Sequence, residues 1–282
     1  MSTTFSPPRI RKLLIASLSA AAMLAFSACS GADQNAETNE STAPTTTTSA
    51  DESGDVAWGY EGEGAPENWG DLDPEFETCG TGMAQSPIDL VSADPLDLPD
   101  LAFDYAPGPW SVINNGHTVQ VTPDEQHSME LDGEENTLVQ MHLHTPSEHL
   151  VDGESFDMEA HFVHTDRDDE LTVVGVLFDE DADPNPLVEQ LLAEAPATVD
   201  EVIQVEDDID LSSLLPESRE YNTYSGSLTT PPCSENVTWI VYTQPIQASA
   251  EQINDLNSLM GTNNRPVQDL NDREIEADST VE

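Results

Sequence analysis

The segment from 139 to 144 reads Val-Gln-Met-His-Leu-His, and the segment from 158 to 164 reads Met-Glu-Ala-His-Phe-Val-His. Apolar residues occupy every second position in both segments, at 139, 141 and 143 and at 158, 160 and 162, which is the period of a β-strand. His142 and His144 therefore lie on one face of the first strand, and His161 lies on one face of the second. If the two strands are neighbours in a sheet, three imidazoles converge on one point.

Three converging imidazoles predict a catalytic zinc site, because three protein ligands leave a fourth position open for water or a substrate. Gln140 and Glu159 each precede a histidine by two positions and share its face, so their oxygens can accept free ring N–H groups and orient the rings. Two histidines at this spacing often occur by chance, and core or surface histidines without a metal are the alternative interpretation. The additional Glu159-Ala160-His161 favours the metal site.

Strand-like patterns account for most of the chain between residues 56 and 275. They are rich in Val, Ile, Thr and aromatic residues or alternate with period two, and they cover 111–121, 137–144, 156–164, 171–178 and 237–244. Asp132-Gly133 is a hairpin turn signal. Two helices are predicted, one over 185–193 and one from Ser249, which forms a capping-box pattern with Gln252, to about Met260. The predicted fold is a mainly β single domain with short peripheral helices.

The charge of the chain is strongly unbalanced. Its 282 residues include 56 Asp or Glu and 7 Lys or Arg, for a formal net charge of −49. This excludes binding of nucleic acid or of an anionic membrane through a basic patch. Because molar salt screens repulsion between like charges, we predict adaptation to saline surroundings, with a melting temperature that rises as NaCl is added. Solubility of an exported protein is the alternative reason for the charge.

The first 28 residues are predicted to be an export signal. Three basic residues among the first twelve positions precede an apolar stretch, 13–28, that is too short to span a bilayer comfortably. Phe26-Ser27-Ala28-Cys29 resembles a bacterial lipoprotein signal, with Cys29 as the lipidated first mature residue. Ordinary cleavage nearby, giving a secreted protein, is the alternative. Both predict a mature protein outside the cytoplasm, in the periplasm or at the cell surface.

Composition divides the remainder of the chain into three parts. Residues 29–55 are rich in Ser, Thr, Ala and acidic residues and are predicted to be a solvated tether. A cluster of aromatic residues begins at Trp58, so the folded domain is predicted over 56–275. Residues 276–282 are predicted to be a frayed acidic tail.

Cys79 and Cys233 are the cysteines left if Cys29 carries lipid. An even pair in an oxidising compartment predicts a disulfide, here closing a loop of about 150 residues. Metal-binding thiolates are the alternative, but no two cysteines have the C-x-x-C spacing.

The other histidines and one acidic segment have simpler interpretations. His149 and His164 are predicted to be buried, hydrogen-bonded structural residues. His127, between Gln126 and Ser128 near a turn, is predicted to be exposed to solvent. The acidic stretch 179–184 suggests a calcium loop, but proline stands where an EF-hand requires glycine, so an acidic loop is predicted instead.

The chain resembles the α-class carbonic anhydrases in their bacterial form. The histidine segments extend to Thr145-Pro146-Ser147-Glu148-His149 and carry the first part of the resemblance. Further matching motifs fall in the family's order: Trp58-Gly59-Tyr60, Pro66-Glu67-Asn68-Trp69, Gln85-Ser86-Pro87-Ile88-Asp89, Asn114-Asn115-Gly116-His117, Leu228-Thr229-Thr230-Pro231-Pro232-Cys233-Ser234-Glu235, Val237-Thr238-Trp239 and Asn264-Arg265-Pro266. The resemblance therefore spans residues 58 to about 275.

The resemblance implies a fold and a role for each matching residue. The fold would be a large, twisted, mostly antiparallel sheet through the centre of the molecule. The ligands of Zn²⁺ would be His142, His144 and His161, with Gln140 and Glu159 behind them. The implied catalytic residues are Thr229, which donates to Glu148 and orients the zinc-bound hydroxide that attacks CO₂, and His117, the proton shuttle. Other implied roles are ordered water at Tyr60 and Asn115, the bicarbonate site at Thr230, and an apolar CO₂ wall of Val163, Val173, Leu228, Val237 and Trp239.

The implied activity is the reversible hydration of CO₂ to bicarbonate and a proton. A lipid anchor at Cys29 would be the only link to a membrane, no nucleic acid is expected, and the sequence does not indicate an oligomeric state. An inactive binding module is one alternative, but such proteins typically lose a ligand histidine and this chain keeps all three. Ester hydrolysis is a second alternative, and the restricted apolar pocket makes it a side activity.

Overall fold

Short alternating segments satisfy their backbone hydrogen bonds by pairing, so the strands listed here assemble into sheets. A computed structural model describes residues 57–278. The strands are β1 (Asp89–Leu90), β2 (Pro95–Leu96), β3 (Ala102–Asp104), β4 (Gly108–Asn114), β5 (Val119–Pro123), β6 (Ser128–Leu131), β7 (Glu134–His144), β8 (Leu150–Val151), β9 (Glu154–Ser155), β10 (Met158–Thr165), β11 (Leu171–Asp181), β12 (Val202–Ile209), β13 (Tyr221–Ser227), β14 (Glu235–Tyr242), β15 (Ile246–Ser249) and β16 (Glu276–Asp278).

Helices are few and short in this part of the chain. They are α1 (Trp69–Leu72), α2 (Glu77–Thr81), α3 (Pro186–Glu194) and α4 (Ala250–Met260). The Asn185 side chain caps α3, and the predicted capping box of Ser249 and Gln252 begins α4. Among residues 57–278, no helix is both long and apolar enough to cross a membrane.

One large sheet dominates the fold and confirms the predicted class. Its strand order is β12-β4-β5-β7-β10-β11-β14-β13-β16-β2, with β15 on β11 and the β3–β6 pair on β7. Most neighbours are antiparallel, and the parallel pairs are β11–β14, β11–β15 and β2–β16. Strand β10 lies in the middle of this order, and every residue from Met158 to His164 is buried.

Apolar side chains pack on both sides of the sheet. On one side Trp110 and Phe162 belong to a core that includes apolar residues of α3 and α4. On the other side Ile88, Val163 and Trp239 form a second core. Because His161 and Val163 share a face of β10, the predicted metal ligands lie beside this second core.

The segment 111–121, predicted as one strand, is two strands joined by a tight turn. Strands β4 and β5 form an antiparallel hairpin in which Asn114 pairs with Val119. Gly116 has φ 83°, a left-handed conformation that glycine adopts at little cost. The Asn115 carboxamide oxygen accepts hydrogen bonds from the amides of His117 and Thr118, which stabilises the turn. The Asn-Asn-Gly sequence was the local signal of this break.

The prediction for His127 is wrong, because its side chain is only 4% exposed. Its ring stacks on Trp110 with 4.9 Å between centroids, and its Nδ1 accepts a hydrogen bond from the amide of Ala106. Burial depends on the strand pairs around it, which neighbouring polar residues do not reveal. His149 and His164 are both fully buried, as predicted.

The C-terminal tail that was predicted to begin at residue 276 starts with an ordered strand. Glu276–Asp278 is strand β16, paired with β13 and β2, so the start of the predicted frayed tail is ordered by backbone hydrogen bonds. The predicted signal 1–28, with Cys29 and the tether 29–55, lies outside the described residues. At the acidic stretch 179–184, Asp179–Asp181 continues β11 and pairs with β15.

Candidate metal centre and active site

Three histidines meet where β7 and β10 pair at the centre of the sheet. His142 lies opposite His161 across the antiparallel pair, and His144 lies opposite Glu159. One ring nitrogen from each of the three histidines lies within 4.8 Å of the other two. The two strands are therefore neighbours, and the three imidazoles that the alternation places on one face do converge.

Hydrogen bonds to the far side of each ring set which nitrogen carries the proton. The contacts are His142 Nδ1 to Gln140 Oε1 at 2.8 Å, His144 Nδ1 to the Asn263 carbonyl at 2.7 Å and His161 Nε2 to Glu159 Oε1 at 2.9 Å. All three partners are acceptors, so each of these ring nitrogens donates. The opposite nitrogens, His142 Nε2, His144 Nε2 and His161 Nδ1, then carry lone pairs toward one another.

This donor set fits a zinc ion. His144 Nε2 is buried and has no hydrogen-bond partner among the described residues, an arrangement that a metal ligand explains. Burial lowers the pKa of His144 to about 4 and also lowers the pKa values of His142 and His161. Neutral imidazole is the form that binds a metal. Three neutral nitrogen ligands suit a tetrahedral ion with one open position.

Glu159 is the carboxylate that fixes His161. It accepts the backbone amides of Glu148 and His149, at 2.9 Å each, and contacts His149 Nδ1 at 2.7 Å. Burial alone would raise the pKa of Glu159, but His149 and His161 hold it well below its usual range. Gly175 lies opposite His161 on β11, and a Cβ there would come within 2.9 Å of Glu159 Oε1. Glycine therefore makes room for this carboxylate.

Glu148 and Thr229 lie on the other side of the histidines. Glu148 Oε2 is 3.6 Å from His144 Nε2, and Glu148 Oε1 accepts the backbone amide of Arg265 at 2.7 Å. Burial raises the pKa of Glu148 to about 7, against the opposing effects of His161, the Arg265 amide and a hydrogen bond from the side chain of Thr229. A cation held by the three histidines would favour the charged carboxylate further.

Comparison with known proteins agrees with this geometry. The model of the eukaryotic-type carbonic anhydrase family matches residues 64–279. A carbonic anhydrase from Pectobacterium atrosepticum is 45% identical over 228 residues, which cover 80% of this chain and 93% of the relative. This chain belongs to the α-carbonic anhydrase family.

Solved structures of α-carbonic anhydrases share the fold. An enzyme from Thermovibrio ammonificans, in complex with the inhibitor sulfanilamide, matches with a TM-score of 0.75 and 44% identity over 78% of this chain and 98% of that one. The α-carbonic anhydrase of Photobacterium profundum matches with a TM-score of 0.74 and 40% identity over 78% of this chain and all of that one.

An apolar wall adjoins the histidines, as the resemblance to α-carbonic anhydrases implies. Val163, Val173, Val237 and Trp239 are buried in one cluster, and the partly buried Leu228 packs against it. The Trp239 ring is 4.8 Å from the ring of His161, so the wall reaches the metal centre itself. Trp239 Nε1 donates to the Ser227 carbonyl, which satisfies the polar atom of the wall.

His117 lines a cleft that it shares with two of the three histidines, His142 and His144. The cleft has a volume of about 140 Å³ and is lined by Trp58, Tyr60, Asn115, His117, Thr118, Gln120, Gln140, His142, His144 and Thr230. The His117 ring stacks on Trp58, with 3.7 Å between centroids and 12° between planes. Partial burial lowers the pKa of His117 from its ordinary value. A half-buried ionisable group therefore lines the same cleft as His142 and His144.

The Cys79–Cys233 disulfide is present, as predicted, and it lies close to the catalytic loop. The bond joins α2 to the segment that follows Thr230, whose carbonyl accepts the amide of Cys233 at 2.9 Å. Arg265 Nη2 donates to the carbonyl of Cys79, and Arg265 Nη1 donates to Gln85 Oε1 and the Ser86 carbonyl. Arg265 therefore links the disulfide region to Glu148: its guanidinium binds the Cys79 carbonyl, and its backbone amide donates to Glu148.

Sequence analysis missed three residues of this site. Asn263 orients His144 through its carbonyl, Arg265 positions Glu148, and Trp58 stacks on His117. Arg265 and Trp58 lie inside matched motifs, where their residue types were the available signal. The contact of Asn263 with His144 uses a backbone carbonyl, so no side-chain pattern could have revealed that contact.

Proposed function

We propose that this protein is an exported, zinc-dependent carbonic anhydrase that converts CO₂ and water reversibly to bicarbonate and a proton. The observation that carries the proposal is the set of three inward lone pairs of His142, His144 and His161 beside an apolar wall. Zn²⁺ bound there would lower the pKa of a water molecule to about 7, the value established for carbonic anhydrases, and so supply a nucleophile at neutral pH.

The Thr229–Glu148 pair would orient that nucleophile. We propose that the Thr229 hydroxyl donates to the Glu148 carboxylate, which leaves Thr229 Oγ1 as an acceptor. It therefore binds a hydroxyl group that donates to it, and the remaining lone pairs of that group turn away from Thr229. The apolar wall suits CO₂, which carries no charge and little dipole, and Thr230 at the cleft contacts bicarbonate.

Stopped-flow CO₂ hydration, with the zinc content measured on the same sample, tests this proposal. We expect acceleration far above buffer in proportion to bound zinc. The absence of any acceleration in protein with one zinc per chain would refute it.

His117 is proposed to move the proton from the cleft to solvent. Its ring can accept a proton at one nitrogen and release one from the other. Partial burial lowers its pKa from the ordinary value of about 6.5, so the ring is neutral at pH 7 and available to accept a proton. Replacement by alanine, His117→Ala, should lower kcat in weak buffer by about tenfold to a hundredfold while leaving kcat/KM nearly unchanged, because CO₂ attack does not use this ring. Stopped-flow assays with and without imidazole measure this. Equal losses in kcat and kcat/KM, or no restoration of kcat by imidazole, would contradict the role.

We further propose export by the signal at 1–28 and lipid anchoring at Cys29. The disulfide supports an oxidising compartment, because disulfides persist in exported proteins and are rare in the cytosol. Mass spectrometry of the mature N-terminus tests this, and an unmodified N-terminus other than Cys29 would refute anchoring.

A further inference from the structure

Asn263 lies behind the metal centre, in the loop that follows α4, and is fully buried. Its backbone carbonyl accepts from His144, as described above, and its side chain has separate contacts. Asn263 Oδ1 accepts the amide of Thr145 at 2.7 Å, and Nδ2 donates to the Leu143 carbonyl at 2.9 Å. Asn263 therefore holds both chain neighbours of the ligand His144.

The second hydrogen of the same amide group is directed to His117. Asn263 Nδ2 donates to the His117 carbonyl at 2.9 Å. The two donors and the acceptor oxygen of this carboxamide are thus all in use, and Thr145 fixes which end is oxygen. One rigid planar group joins the backbone at the ligand His144 to the backbone at the shuttle.

The backbone of His117 is held from two directions. Asn115 Oδ1 accepts the amides of His117 and Thr118 at 3.0 and 2.9 Å, and Asn263 binds the His117 carbonyl. The contact with Asn263 is the one that links the His117 backbone to the loop beyond α4. The ring lies half-buried against Trp58, so its place in the cleft depends on where this backbone is held.

We propose that the side chain of Asn263 is a positioning residue that sets the distance and orientation of the His117 ring relative to the metal centre. The inference rests on the proposed function, because it concerns the histidine that is proposed there to be the proton shuttle. A shift of about 1 Å in a catalytic group can cost about a hundredfold in rate, so a rigid link between the two groups matters for proton transfer.

The variant Asn263→Asp tests the proposal. A carboxylate at this position can still accept the amide of Thr145, and the backbone carbonyl that orients His144 is unchanged. It cannot donate to the carbonyls of His117 and Leu143 and repels both, but the Leu143 carbonyl keeps a second donor, the Thr118 hydroxyl at 2.6 Å. We expect kcat in weak buffer to fall about tenfold, kcat/KM to stay within about threefold, and imidazole to restore kcat. Equal losses in kcat and kcat/KM, without rescue by imidazole, would overturn the proposal, because they would show damage to the metal centre.

A second measurement needs neither zinc nor activity. In zinc-free protein labelled with ¹³C-histidine, the ring protons of His117 should be shifted upfield by the Trp58 ring, and His117→Ala identifies their resonances. Asn263→Asp should move them toward the shifts of an exposed histidine, whereas resonances that stay at the wild-type position would overturn the proposal. If the wild-type protein does not hydrate CO₂, the proposed function fails and this measurement still decides the positioning.

Asn257→Asp is the matched control. Asn257 Nδ2 donates to the hydroxyl of Thr145 in the same region and does not contact His117. This variant should retain wild-type kcat and wild-type His117 resonances, and changes like those of Asn263→Asp would overturn the specific link. If Asn263→Asp does not fold, Asn263→Ala, which adds no charge, replaces it with the same expected results and the same contradictory ones.

Discussion

Replacement of His144 by alanine should remove both zinc and activity. His144→Ala deletes the buried Nε2 that has no partner among the described residues, which leaves His142 and His161 as the only imidazoles at the centre. Two ligands bind zinc much more weakly than three, and without zinc the pKa of water is far above neutral, so no hydroxide is supplied at pH 7. We therefore expect less than one zinc per chain after dialysis and a fall in kcat/KM of at least about a thousandfold.

His127→Ala is the matched control for this loss. His127 is also buried, at 4% exposure against 1% for His144, but it stacks on Trp110 in the core on the other side of the sheet. Both variants remove a buried imidazole, so a loss caused by destabilisation alone would affect both. His127→Ala should keep its zinc and its kcat/KM. Full activity in His144→Ala, or equal losses of zinc in both variants, would contradict the assignment of His144 as a ligand.

The shared face of His142 and His144 could be predicted because it follows from a local rule. Side chains alternate between the faces of a strand, so His142 and His144 share a face in any sheet that contains them. The register that places His161 opposite His142 is a pairing of strands, and sequence pattern left it as a condition. The disulfide between the two cysteines and the capping box at Ser249 could likewise be predicted, because residue type and spacing indicate them.

The contacts of Gln140 and Glu159 with the histidine rings were predicted from their spacing, but other supporting contacts could not be predicted, because they join distant parts of the chain. Asn263 meets His144 across 119 positions, and the Arg265 guanidinium meets the Cys79 carbonyl across 186 positions. Both contacts use backbone carbonyls, which every residue has. The error at His127 has the same origin, since its burial depends on Trp110 and on the strands around it rather than on Gln126 and Ser128. Local pattern thus located the three histidines and the acceptors two positions away from them, and left the contacts from distant segments open.

The second large effect is expected from the disulfide. Cys79 and Cys233 are 154 positions apart in the chain, so their bond restricts a very large loop in the unfolded state. The chain-entropy account gives about 4–5 kcal/mol for a loop of this size, at the upper end of what disulfides contribute. The double variant Cys79→Ser/Cys233→Ser should therefore lower the free energy of unfolding by up to about that amount, measured by urea denaturation at fixed salt concentration.

The disulfide also bears on activity, because Cys233 closes the loop that carries Thr229 and Thr230. Near its unfolding midpoint the double variant should lose CO₂ hydration at urea concentrations where the wild type retains it. A reducing agent should bring the wild-type midpoint down to that of the double variant and should not move the midpoint of the double variant.

The control Cys29→Ser removes the third cysteine and leaves this bond intact, so it should unfold like the wild type. If the midpoint of the double variant coincides with that of Cys29→Ser, the disulfide does not stabilise the fold, and the hydrogen bonds of Gln85 to the Cys233 carbonyl and of Arg265 to the Cys79 carbonyl hold these segments without it.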